Sequence, residues 1–150
     1  MPKKSTVRRA RVDKRQGKSA STQAGEFVRE EIESIRRGEH GARSAKQAIA
    51  IGLSKARRAG VKLKPPKPGE ASEETIEHAR QDIKRGKHPK KPNRRRSRAT
   101  LKALKREGTS AASHEALSRQ AKSQTKKRTA SERSAIAKKA ARTRKRRARA

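Results

Sequence analysis

The sequence predicts an all-α protein: a small helical hairpin over about residues 22–60, flanked by basic arms that are largely disordered or form isolated helices. Three observations predict it. In two stretches of the middle, apolar residues recur every three to four positions, the spacing of one helix face. Charge is uneven: residues 1–25 carry +7, residues 26–82 only +2 and residues 83–150 +23, out of +32 for the 150-residue chain. Leu, Ile, Val and Phe number 17 of 150 residues, about 11%. Below about 20%, a highly charged chain stays largely disordered unless it is neutralised. Only the nearly neutral middle collapses without severe self-repulsion, so the folded unit belongs there.

Residues 1–21 read as a basic N-terminal arm. The hairpin opens at "STQAGEFVREEIESIRRGEHG". Ser21 or Thr22 caps a helix over 22–37, whose face is Ala24, Phe27, Val28, Ile32 and Ile35. Glu26, Glu30 and Glu31 lie early and Arg36 and Arg37 late, matching the helix dipole, and Gly38 stops it. The second helix, 45–59, lies in "KQAIAIGLSKARRAG", residues 46–60. Ser44 and Gln47 form an S-x-x-Q capping box. Ala45, Ala48, Ile49, Gly52, Leu53 and Ala56 share a face, Arg57 and Arg58 fill the last turn, and Gly60 with Val61 makes a Schellman ending. The hairpin domain therefore spans 22–61. Mid-helix Gly52 costs about 1 kcal/mol against Ala and needs a reason. It falls in the series Ala48–Gly52–Ala56, where small residues let another helix approach closely. Two partners fit: the first helix of the hairpin, or a second copy in a homodimer through Ala48, Gly52 and Ala56.

"KLKPPKPGEAS" (62–72) reads as a stiff, extended Pro-rich linker. Ser72 caps a helix over 73–86 with Ile76, Ala79 and Ile83 on one face and Gly86 as its stop. Residues 87–150 form a very basic Lys/Arg/Ala-rich tail. It starts with the basic linker "KHPKKPNRRRSR" (87–98). Three helical segments follow, carrying Leu101 and Leu104, then Leu117, and last a capping box from Thr129 to Glu132. Each is too poor in apolar area to stay folded unaided. Two echoes recur: "ARVDKRQGK" (10–18) with "ARQDIKRGK" (79–87), and "KRQGKSAST" (14–22) with "KREGTSAAS" (105–113). Each reads as a basic helix end, a Gly stop and a Ser/Thr cap, and shared helix punctuation or a chain of jointed basic helices explains them equally.

Composition narrows the function. There is no Cys, hence no disulfide frame and no thiolate metal site. No stretch of about 20 apolar residues spans a bilayer, and no apolar segment follows the basic N-terminus to make a secretory signal. The expectation is a cytoplasmic, nucleoid-located protein without a membrane role. His40, His78, His88 and His114 are scattered without ligand spacing, no catalytic motif appears, and so neither enzyme activity nor a cofactor or metal is expected.

A charge of +32 seeks polyanions. Lys and Arg neutralise phosphates and release counterions without reading bases. The single aromatic, Phe27, lies on an apolar stripe, which disfavours base-stacking modules and leaves duplex DNA, or alternatively structured RNA, as the partner. The expected DNA contacts are Arg94, Arg95, Arg96 and Arg98; Lys126, Lys127 and Arg128; Lys138, Lys139, Arg142 and Arg144; Lys145, Arg146, Arg147 and Arg149; and, in the N-terminal arm, Arg8, Arg9 and Arg11. A third class of role is an adaptor whose Glu30, Glu31 and Glu33 recruit a protein.

The stretch 19–61, and most specifically "KQAIAIGLSKARRAG", resembles a domain of small, very basic bacterial proteins labelled DNA-binding. The tail is similar in composition to the Lys/Ala/Arg-rich tails of bacterial histone-H1-like proteins. The resemblance implies DNA binding without a mechanism. The combined expectation is a non-specific, histone-like protein that neutralises and can compact duplex DNA, with an RNA- or ribosome-associated basic protein as the alternative.

Overall fold

The computed structural model describes residues 2–89 and 91–149. Among these the regular structure is helical: α1 Lys4–Arg15, α2 Ala20–Arg36, α3 Ala45–Arg58, α4 Glu73–Lys87, α5 Arg94–Lys105, a short 3-10 turn Ser110–Ala112, α6 His114–Lys126 and α7 Ala130–Arg147. The chain divides into two compact units, Met1–Ser113 and His114–Ala150.

The hairpin forms as its punctuation dictates. α2 starts two residues before the expected position, capped by Ser19, whose Oγ accepts the Thr22 N–H. Its C-terminus is a full Schellman ending: Gly38, at φ +72°, donates to Ile35 O and Glu39 to Ser34 O. α3 opens on Ser44, which accepts the Gln47 N–H at 3.2 Å. The reciprocal half of that box differs, because the Gln47 side chain accepts from Arg43 N instead of Ser44 N. Gly60 at φ +86° closes α3, and Val61 N–H reaches Ala56 O. Gly52 is the point of closest approach to α2. A Cβ there would lie 2.6 Å from Val28 Cα. Ala48 and Ala56 are fully buried. The small-residue face is thus used within one chain and is not open to the homodimer contact expected from sequence.

The N-terminal arm is not free. Residues 4–15 form α1, and Val7 and Ala10 join the core of Ala24, Phe27, Ala56 and Val61, with Ala20, Leu53 and Leu63 at its edge. A carboxylate from the next helix organises its start: buried Glu30 accepts the Lys3 N–H with both oxygens at 3.1 Å. Gly17, at φ +68°, gives α1 the same Schellman ending.

α4 packs on α3 through Ile76, Ala79 and Asp82. Gly86 does not stop it, for the helix runs on to Lys87. Its bare Cα instead faces the carbonyl of Arg57, where a Cβ has no room. Part of the expected tail also belongs to this unit. Asn93 caps α5, so Arg94–Arg98 are helical and not linker. The segment after α5 docks on the turn of the hairpin: Gly41 N–H donates to Leu104 O, Ala42 N–H to Gly108 O and Arg36 Nε to Ala112 O. Ala111 and Ala112 are buried there.

α6 and α7 make the second unit. α7 begins with the expected capping box, complete in both directions between Thr129 and Glu132. No described residue of α5, α6 or α7 is buried, in keeping with their apolar poverty. The disorder expected of the flanking arms is not what is seen: α1, α5 and the segment after α5 belong to the first unit, and α6 and α7 make the second.

Candidate nucleic-acid interface

The charges of the chain divide by surroundings. Around the hairpin and its neighbours, acids hold some of the cations in place. Glu31, fully buried, accepts from Lys55 Nζ at 2.5 Å, with His40 Nε2 at 3.5 Å from its other oxygen. Asp82 takes Arg58 Nε at 3.2 Å and the Ser54 hydroxyl at 2.5 Å. Asp13 pairs with Lys18 at 2.6 Å, and Glu26 with Arg9 at 2.6 Å and Arg29 at 3.4 Å. The Arg37 guanidinium, 2.9 Å from Glu39, holds that carboxyl down at about 2, aided by the Ser34 hydroxyl. Arg57 is buried, donates to Lys64 O, and burial lowers its pKa against the opposing pull of Asp82. These pairs keep the middle near neutrality and fold it. They are spent on structure.

Beyond Arg85 the described Lys and Arg side chains are all exposed. Arg94, Arg95 and Arg96 are the first three residues of α5, and Arg98 follows one turn later. All four are exposed, and no acid occupies that first turn. Three guanidinium groups at the positive end of a helix dipole repel it and each other; a phosphate placed there relieves both. Lys126 ends α6, and Lys127 and Arg128 sit in the turn before α7. Lys138, Lys139, Arg142, Arg144, Lys145 and Arg146 are exposed along α7, with Arg149 just past it. The side chain of Arg147 lies outside the described residues. The second unit as a whole carries fourteen Lys/Arg against Glu115 and Glu132, a net of +12 in 37 residues.

In the N-terminal arm, Arg8 and Arg11 are exposed. Arg9 is not free for phosphate, because Glu26 and the Thr6 hydroxyl take its guanidinium. The expected adaptor acids fare similarly: Glu30 and Glu31 are buried, and of the three only Glu33 faces solvent. The structure also adds cations that the sequence reading passed over. Arg80, Lys84 and Lys87 surround a shallow hollow of about 290 Å³ beside Ile83 on α4. Their i, i+4, i+7 spacing marks a single face, yet in the sequence it reads only as a basic helix end.

Fold and surface together define a small, strongly basic protein whose regular structure is helical among its described residues. Residues 11–68 match a family of unknown function (DUF6496), from the middle of α1 through the hairpin into the Pro-rich segment. No curated protein matches the chain, nor does any solved structure. Among the described residues no helix is long and apolar enough to cross a membrane.

Proposed function

We propose that the protein binds duplex DNA through its phosphates, without strong sequence preference, as a histone-like, nucleoid-associated component that neutralises and compacts DNA. One observation carries this reading: the described Lys and Arg side chains of α5 to α7 are exposed and far outnumber the acids, fourteen against two in the second unit, whereas several cations of α1 to α4 are held by buried or partly buried carboxylates. Helices that bury nothing gain nothing from self-packing, and the repulsion along them falls when phosphates replace their counterions. Apart from Phe27, which is buried, the chain has no aromatic residue, so base stacking of the kind single-strand binders use is not on offer.

The test is a comparison of affinity for two unrelated DNA duplexes and one structured RNA at matched salt. Equal, strongly salt-dependent binding to both duplexes supports the reading. A preference of more than about 10³ for one duplex, a ratio typical of specific binders, contradicts it. Stronger binding to the RNA moves the function to the RNA-associated class.

A further inference from the structure

We infer that α7 is the element that enters DNA, lying lengthwise in the major groove with a cation ridge on each of the two phosphate strands; this rests on the DNA-binding reading above. On a helix turning 100° per residue, Lys138, Lys139, Arg142, Lys145 and Arg146 fall within an arc of about 120°. Arg133 and Arg144 fall about 180° from the middle of that arc. All seven are exposed. A helix built to lie across one strand needs cations on one side only. Here they stand on opposite sides, with Ser134, Ala137 and Ala141 between them, also exposed.

The dimensions agree. The 18 residues of α7 extend about 27 Å, and a helix about 10–12 Å across matches a major groove about 12 Å wide. Lys138, Arg142 and Lys145 on one side and Arg133 and Arg144 on the other then reach the two strands that border the groove at the same time, while Lys139 and Arg146 face away from its floor. The short side chains between them let the backbone approach the groove floor. They offer the base edges almost no donors or acceptors, so binding of this geometry is indifferent to sequence. The occupant is B-form DNA in particular, because the major groove of A-form RNA is too narrow and deep to admit a helix.

The experiment measures binding of the full-length protein and of its Ala137→Leu/Ala141→Leu variant. Each is titrated with salt against a DNA duplex and the RNA duplex of the same sequence. Both positions are exposed and Leu is a good helix former, so charge and helix content are preserved, and circular dichroism confirms this. Bulk at the groove floor lifts α7 so that Arg133 and Arg144 lose their strand. The expected result is a log–log salt slope shallower by about 2 and a DNA affinity about 10- to 100-fold lower near 0.1 M salt, with the wild type weaker on the RNA duplex than on DNA. A variant that matches wild type on DNA, or a wild type that binds the RNA duplex as tightly as the DNA, overturns the groove placement and leaves phosphate binding intact. A wild type that binds no DNA refutes the underlying reading itself.

Discussion

Replacing Gly52 by Ala tests how the hairpin is closed. Helix propensity alone favours the change by about 1 kcal/mol. Packing opposes it, since the new Cβ lies 2.6 Å from Val28 Cα and 3.0 Å from both Val28 N and Cγ2. Two of those three atoms are backbone and cannot rotate away, so α2 and α3 must separate. Overpacking of that kind costs about 1–3 kcal/mol, which leaves a net loss of up to about 2 kcal/mol after the propensity gain. Gly25 is the control. It is also helical, on α2, and a Cβ there meets nothing within 4 Å. Gly25→Ala therefore keeps the whole propensity gain of about 1 kcal/mol. For a unit of this size each kcal/mol moves Tm by about 4–8 °C, so thermal unfolding followed by circular dichroism separates two changes of the same chemistry and opposite sign. If Gly52→Ala raises Tm as much as Gly25→Ala does, the close approach of α2 and α3 is wrong.

Three further outcomes follow from the buried polar groups and the docked segment. Lys55→Met leaves the Glu31 carboxylate buried without its cation and lowers stability by about 3–5 kcal/mol, read by urea unfolding. Gly41→Ala sets a Cβ against the carbonyl of Glu107; it detaches the segment after α5 from the hairpin turn, and amide exchange at Gly41 and Ala42 accelerates while the α2–α3 amides stay protected. The Glu39 carboxyl, held by Arg37 at about 2 against an ordinary 4.5, contributes stability that is complete above about 4.5 and declines as the pH falls toward 2. An NMR titration places its midpoint near the lower value in the wild type, and near the ordinary one in Arg37→Gln.

How much of this was legible depended on whether the signal was local. The caps Ser44, Ser72 and Thr129 and the endings at Gly38 and Gly60 are decided by residues within one turn, and they stand where the sequence puts them. Gly86 shows the limit. "ARVDKRQGK" and "ARQDIKRGK" are near copies, yet Gly17 is left-handed and ends α1 while Gly86 stays helical inside α4. The difference lies in the Arg57 carbonyl against Gly86, a contact some thirty residues away that no local pattern carries. Asp13 and Asp82, at matching places in the same echo, are both buried, so the repeat marks a packing position as much as a joint. α1 was hidden for a compositional reason. Val7 and Ala10 are surrounded by cations, and the carboxylates that offset them, Glu26 and Glu30, come from α2. Among the expected DNA contacts, the exposure of the tail cations follows from composition alone, whereas the capture of Arg9 needed the tertiary fold.

The central claim is that the cations of α6, α7 and the turn between them bind phosphate and those of the hairpin do not. The measurement is a salt titration on a DNA duplex comparing the full-length protein with a full-length variant in which Lys126, Lys127, Arg128, Lys138, Lys139, Arg142, Arg144, Lys145 and Arg146 are Gln. None of these side chains is buried, so the hairpin keeps its fold. Each phosphate released flattens the log–log slope by about 0.9, and six to ten contacts make affinity fall by about 10³–10⁵ between about 50 and 200 mM salt. The account predicts that the variant loses most of its affinity and most of that slope. A variant that keeps the slope and affinity of the wild type would contradict it and move the DNA-binding surface to the first unit.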